Sequence, residues 1–115
     1  TLLDYLALDR AKLAGGRATS LLPIIRGEQD ALRDHVYMAS GQERAIRTRA
    51  WFMRQPKGEP AELFAKPSDR WEVNEASRLC DDVVDGLQQA LKAREQASDD
   101  ATLPPLSDAL VTEWD

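Results

Sequence analysis

The chain has few of the residues that enzymes use for covalent and metal chemistry. Cys80 is the only cysteine and His35 the only histidine among its 115 residues. A single cysteine excludes an internal disulfide and a zinc site built from several cysteines, and it leaves the redox compartment open. The sequence also lacks a Gly-x-Ser-x-Gly elbow, a Walker loop and a dinucleotide-binding glycine fingerprint. By its own residues, therefore, the chain supports no catalytic machinery.

Long apolar runs and an excess of positive charge are missing too. No run approaches the roughly 20 apolar residues of a membrane-spanning helix, and acids interrupt the first stretch, "TLLDYLALDRAKL", so it is not a signal peptide. The net charge of -5 opposes nonspecific binding to nucleic acid or to an anionic membrane. With 43% hydrophobic residues, we expect one modest core. A start at Thr1 rather than at methionine suggests part of a longer polypeptide.

Short runs of strand-forming residues between turn signals predict a four-stranded antiparallel meander. A "GQ" turn follows the first run, and the loop "PKGEP" precedes the last. The four runs are "DHVYMAS" at 34–40, "RAIRT" at 44–48, "WFMRQ" at 51–55 and "AELFAK" at 61–66. We therefore expect an α+β fold in which this sheet packs against a helix.

The helix that we expect to cover the sheet is "DDVVDGLQQALKAREQ", residues 81–96. Acids at its start and bases at its end suit the helix dipole, and Val84, Leu87 and Leu91 form one apolar face. Neither a lone amphipathic helix nor a short meander is stable by itself, so the two must share a core. The predicted core comprises Ile46, Phe52, Leu63, Val84, Leu87 and Leu91.

Two further apolar segments precede the sheet, and one follows the helix. A leucine stripe (Leu2, Leu3, Leu6 and Leu13) predicts an amino-terminal helix that "AGG" ends. The run "SLLPIIRGE" suits a short anchoring turn whose leucines and isoleucines are buried. Both are too apolar to face water, so we expect them to pack on a partner. The polar tail ends with Leu110, Val111 and Trp114, which we expect to dock on a neighbouring surface.

Four arginines surround a Trp-Phe-Met cluster in "GQERAIRTRAWFMRQP". Arg44, Arg47, Arg49 and Arg54 could clamp a phosphate or sulfate, and the aromatic rings could stack on bases. Alternatively, the arginine stems cover a sheet face while the guanidinium groups pair with the abundant carboxylates. The second interpretation is favoured.

The remaining candidates for chemistry also favour structural roles. His35 could serve a catalytic triad, but a structural or surface histidine on a strand fits its surroundings better. Cys80 precedes two acids that oppose thiolate formation. Asp81, Asp82 and Asp85 lack the spacing and the glycine of a calcium-binding EF-hand loop, so they suit a solvated helix start.

Several segments follow one another in a recognisable order: "TLLDYLAL", "GGRATSLLPIIRGE", "RDHVYMASGQ", "RAIRTRAWFM", "AELFAKPSDRWEVNEAS" and "DDVVDGLQQAL". This order resembles the carboxy-terminal part of type I sulfatases of the alkaline-phosphatase superfamily. In that family a "TLLDLLGL" helix leads to a "G-x-SLLPLLRGE" anchor, a strand, an "AIRT" hairpin, an "ELY/F" strand and a terminal helix. The likeness runs from Thr1 to about Ala97, and its specificity lies in the order of the motifs.

The resemblance implies a small four-stranded antiparallel subdomain with a carboxy-terminal helix, packed against a large α/β catalytic domain. Residues 1–32 would be a helix and anchoring linker from the catalytic domain, 33–97 the subdomain and 98–115 a tail. The partners implied are that catalytic domain, in the same polypeptide, and in the intact enzyme a small-molecule or polysaccharide sulfate ester. The family also implies export to the periplasm or the cell exterior.

The family's nucleophile and metal are not implied for this chain. The nucleophile is a formylglycine made within a Cys-or-Ser, x, Pro, x, Arg motif, whereas Cys80 is followed by "DDV". The calcium ligands lie in the amino-terminal half of the family. We therefore expect no cofactor and no catalytic residue here, and His35, Arg44 and Arg47 are the candidates for a substrate-pocket rim.

An alternative hypothesis belongs to a different functional class. The chain could be a free-standing α+β interaction module that binds a protein or an acidic ligand through the arginine-rich hairpin. The sequence upstream of Thr1 separates the two hypotheses, because only the sulfatase interpretation requires a catalytic domain there.

Overall fold

The computed structural model describes residues 1–9, 19–97 and 103–112. The chain divides into two compact units, Thr1–Arg33 and Asp34–Asp115. None of the described helices is long and apolar enough to cross a membrane.

The first unit contains two single-turn helices, α1 (Leu2–Tyr5) and α2 (Leu22–Ile25). Helix α1 is shorter than the leucine stripe predicted, because Ala7 adopts a left-handed conformation (φ 53°) and the N–H of Leu8 donates to the carbonyl of Leu3. Leu13, the last residue of that stripe, lies outside the described residues. Pro23 is in the first turn of α2, where its missing N–H costs no hydrogen bond.

The second unit contains the predicted antiparallel meander, in the order β1-β2-β3-β4. Its strands are β1 (Val36–Ser40), β2 (Glu43–Arg47), β3 (Trp51–Pro56) and β4 (Glu62–Ala65). Gly41 begins the two-residue turn between β1 and β2, and its φ of 54° is one that glycine adopts without strain. The predicted order of four strands is thus confirmed.

Helix α3 (Asp81–Gln96) covers one face of the sheet, as the sequence predicts. A row of paired residues, Ile46, Met53 and Leu63, crosses three strands and packs in one cluster with Leu87 and Leu91 of α3. Because side chains alternate between the faces of a strand, this row defines the helix-covered face. Four of the predicted core residues, Ile46, Leu63, Leu87 and Leu91, are buried there.

Of the other two predicted core residues, Phe52 is corrected by the structure, and Val84 packs against the core only as a half-buried residue. Phe52 follows Trp51 and precedes Met53, both of which are buried towards α3, so strand alternation turns Phe52 to the opposite face. Val84 is only half-buried at the edge of the helix stripe, and Val83 takes the central position four residues before Leu87. The sequence "DDVV" contains two adjacent valines, and helical periodicity alone does not show which of them is the more deeply buried.

The segment after α3 returns to the core of the second unit. A short helix, α4 (Asp108–Val111), buries Leu110 against α3 at Gly86. The indole Nε1–H of Trp51 donates to the carbonyl of Ala109 at 3.4 Å. The surface on which Leu110 docks thus belongs to the chain itself, and Trp114 lies outside the described residues.

Candidate binding surface

The arginines of the β2–β3 hairpin do not converge on one point. Arg44 and Arg47 are three residues apart in β2, so strand alternation places them on opposite faces of the sheet. Arg44 lies on the helix-covered face, where its Nε donates to a carboxylate oxygen of Glu95 in α3 at 2.8 Å. A single anion therefore cannot be held by both side chains.

The guanidinium groups of this hairpin have internal partners. Arg54 in β3 donates through Nε to Glu62 in β4 at 2.7 Å, and this hydrogen bond raises the pKa of Arg54. Arg47 curls around the β2–β3 turn and donates to the carbonyls of Thr48 and Trp51. These contacts brace the hairpin. They agree with the interpretation that the arginines pair within the protein rather than clamp a ligand.

His35 is held by the residue before it. Its Nδ1 lies 2.6 Å from one carboxylate oxygen of Asp34, whose other oxygen accepts the N–H of Leu106 at 2.7 Å. Burial alone would raise the pKa of Asp34, but the hydrogen bonds from Leu106 and His35 outweigh it and hold that pKa below its ordinary value. The pair ties the start of β1 to the carboxy-terminal segment.

The β4–α3 loop, residues 66–80, is held by its own side chains. Asp69 accepts the backbone N–H groups of Val73 and Asn74 at 3.0 and 2.8 Å, which lower its pKa. The buried Nζ of Lys66 donates to the carbonyl of Asp69 at 2.6 Å and to a carboxylate oxygen of Glu72 at 3.0 Å. These contacts fix the fold of the loop without an apolar core of its own.

Glu75 joins the same loop to the edge of the sheet. One of its carboxylate oxygens accepts the N–H of Leu63 at 3.0 Å and that of Ser77 at 2.7 Å. The carbonyl of Leu63 accepts the N–H of Ala76 at 2.8 Å. Although burial alone would raise the pKa of Glu75, these hydrogen bonds lower it. The outer edge of β4 is thereby covered at Leu63.

The braced β4–α3 loop nevertheless presents large apolar side chains to solvent. Trp71, Val73 and Leu79 are 78%, 75% and 85% exposed. The guanidinium of Arg70 lies 5.2 Å from the centroid of the Trp71 ring and stacks on it. An arginine and a tryptophan on a pre-organised loop are typical of protein-binding hot spots, because little conformational entropy is lost on binding. The signal of this loop in the sequence is a single large aromatic, Trp71, in a polar connector.

The first unit has an exposed apolar surface as well. Leu2, Tyr5, Leu6 and Leu8 are between 54% and 76% exposed. In and beside α2, Leu22 is buried, whereas Leu21, Ile24 and Ile25 are exposed in this chain. Several large apolar side chains exposed in one unit are typical of an interaction surface.

The sulfatase resemblance implies a metal and a nucleophile elsewhere in the enzyme. Among the described residues no group of three or more His, Cys, Asp or Glu side chains is placed to hold a metal ion. Cys80 is the residue before α3 and packs, half-buried, against the core. The described residues thus offer no ligand set for calcium, and Cys80 lies outside the motif in which a formylglycine forms.

No protein-family model matches the chain, and no curated protein sequence matches it significantly.

Proposed function

We propose that this chain is the non-catalytic carboxy-terminal portion of a sulfatase-type hydrolase, in which it completes the fold and borders the substrate pocket. The ordered motifs of the sequence support this proposal, and the α+β architecture with its four-stranded sheet and carboxy-terminal helix is compatible with it. On this proposal the amino-terminal helix belongs to the larger α/β domain, which supplies the nucleophile and the calcium.

The observation that carries the proposal is the exposed apolar surface of the first unit. Burying a leucine or isoleucine side chain contributes about 1.5–3 kcal/mol, so several such side chains left in water represent a large unused stabilisation. The sequence places them in two short segments, residues 2–8 and 21–25, which are the segments that resemble the helix and anchor of the sulfatase catalytic domain. A domain that covers them would recover this stabilisation.

On this proposal the second unit would form part of the pocket wall and would supply no catalytic side chain. His35, Arg44 and Arg47 remain the candidates for the pocket rim, yet the contacts above engage all three within the unit. On this proposal the rim is formed by the backbone and loop ends near residues 35–44. Trp71 and its neighbours in the β4–α3 loop offer a second contact surface for the larger domain.

The test has two parts, of which the first is the coding sequence upstream of Thr1. We expect it to encode an α/β domain that contains a Cys-or-Ser, x, Pro, x, Arg motif. An open reading frame that begins at or just before Thr1 would refute the proposal.

The second part compares hydrolysis of an aryl sulfate, with calcium present, by the isolated chain and by the intact polypeptide. The isolated chain should show no turnover, because hydrolysis needs a nucleophile and a metal that stabilises the sulfuryl oxygens. Turnover by the rigorously purified chain that disappears in a His35→Ala variant would contradict a non-catalytic role.

The alternative, a free-standing module that binds an acidic ligand through the arginine hairpin, is favoured by no specific contact. Arg44 and Arg54 each pair with a carboxylate, and they project from opposite faces of the sheet. An acidic ligand would have to compete with Glu95 or Glu62 for either guanidinium.

A further inference from the structure

The two edges of the sheet are protected to different degrees. At β4, the Glu75 carboxylate and the Ala76 N–H occupy the backbone groups of Leu63. Strand β1 is the opposite edge of the sheet, and four of its five residues are exposed to solvent. Its sequence, "VYMAS", contains no charge, no proline and no bulge, since its register with β2 is continuous over five residues. Charges, prolines and bulges on an edge strand are the features by which soluble proteins block edge-to-edge pairing, and β1 has none of them.

The side chains of β1 are small or apolar on both faces. Tyr37 faces α3 and packs against the core, and alternation turns Val36 and Met38 to the helix-free face, where they are 42% and 41% exposed. An open strand edge with such side chains is completed by another extended strand, because only a strand satisfies a row of alternating N–H and C=O groups.

We propose that β1 pairs with β1 of a second copy of this chain, antiparallel about a two-fold axis at Met38, to form a continuous eight-stranded sheet. In this register Met38 faces Met38 of the copy, Val36 faces Ser40 and Tyr37 faces Ala39. On each face a large side chain thus meets a small one, apart from the flexible methionine pair at the axis. The strand carries no charge that would repel its own copy, although each chain has a net charge of -5.

This two-fold register makes a position-specific prediction that disulfide trapping can test. Opposed residues of an antiparallel pair have Cα atoms about 4.5–5.5 Å apart, which is within the span of a disulfide. In a Cys80→Ser background, Met38→Cys should cross-link to a covalent dimer under mild oxidation. Val36→Cys and Ser40→Cys should each cross-link poorly alone and well when the two variants are mixed.

A charge at the two-fold axis gives the complementary test, by analytical ultracentrifugation of the 115-residue chain. Met38→Lys places two like charges opposite each other and should raise the dimer dissociation constant at least about tenfold. Circular dichroism of dilute samples should show an unchanged fold, since the side chain is already partly exposed. Gln89→Lys, which adds the same charge at an exposed position of α3, should leave the dissociation constant unchanged.

Association through the apolar surface of the first unit must be separated from association through β1. Ile25→Lys, a change in that surface, should leave the Met38→Cys cross-link intact. A chain that stays monomeric at several hundred micromolar would overturn β1 pairing. Dimers that Met38→Lys does not weaken, or that cross-link equally through Val73→Cys, would overturn it as well and would locate the contact on another surface.

Discussion

The absence of a side chain at Gly86 is predicted to be needed for the docking of the carboxy-terminal segment. Gly86 lies in the middle of α3, where glycine is about 1 kcal/mol less favourable than alanine. A Cβ atom added there would lie 2.9 Å from Cδ1 and 3.3 Å from Cδ2 of Leu110. The glycine therefore weakens the helix but leaves a notch for Leu110.

The effect of Gly86→Ala on the free energy of unfolding follows from these two opposing contributions. Gly86→Ala gains about 1 kcal/mol of helix propensity and must push aside the end of a buried leucine, a repacking that costs on the order of 1–3 kcal/mol. In wild type the substitution should thus be neutral or destabilising by up to about 2 kcal/mol. With Leu110→Ala already present, the same substitution meets no methyl groups and should stabilise by about 1 kcal/mol.

The assay is a double-mutant cycle from urea unfolding of the wild type, the two single variants and the double variant. We expect a coupling free energy of about 1–3 kcal/mol between the two positions. Additive effects, within about 0.5 kcal/mol, would show that Leu110 does not occupy the notch. Asp85→Ala, an exposed change on the same helix, is the control and should be additive with Leu110→Ala.

Three further predictions concern the core, the β4–α3 loop and its exposed tryptophan. Leu87→Ala removes a fully buried side chain and should lower the free energy of unfolding by about 2–5 kcal/mol in a urea titration; a change below 0.5 kcal/mol would mean that α3 does not pack on the sheet. The pKa of Asp69 is lowered in the folded state, so its carboxylate stabilises the fold above the ordinary pKa of about 4, and that stability is lost as the pH falls through the lower folded value. Asp69→Asn should therefore be less stable at pH 7 and should lose less stability between pH 5 and 2 than wild type; equal slopes would contradict the assigned hydrogen bonds. Trp71→Ala should change the unfolding free energy of the isolated chain by no more than about 0.5 kcal/mol, because the ring is exposed, and a larger loss would show that Trp71 packs within this chain.

The strand order and the long helix were predictable because each has a strong local signal. Period-two patterns between "GQ" and "PKGEP", and acids and bases at opposite ends of residues 81–96, depend only on neighbouring residues. Which individual side chains point into the core was less predictable. In "WFM" and "DDVV" adjacent large residues compete for the buried positions. Tertiary packing buries Trp51 and Met53 rather than Phe52, and it buries Val83 more deeply than Val84.

The role of the arginines was only partly predictable. Composition supplies enough carboxylates to pair with them, but the partners Glu95 and Glu62 depend on the packing of α3 and on the β3–β4 register. The ordered structure of the β4–α3 loop could not be predicted from the sequence for a similar reason. Its order comes from hydrogen bonds of the Lys66, Asp69 and Glu75 side chains to backbone groups up to twelve residues away, and no periodic pattern in the sequence predicts such contacts.

Hydrogen exchange across residues 2–25 tests the central claim most directly. The measurement compares the same peptides in the isolated chain and in the intact polypeptide. If a larger domain covers this apolar surface, exchange of Leu2–Tyr5 and Leu22–Ile25 should be markedly slower in the intact polypeptide, while α3 is protected in both. Equal protection of these segments in the two samples, together with an isolated chain that binds no hydrophobic dye, would contradict the account.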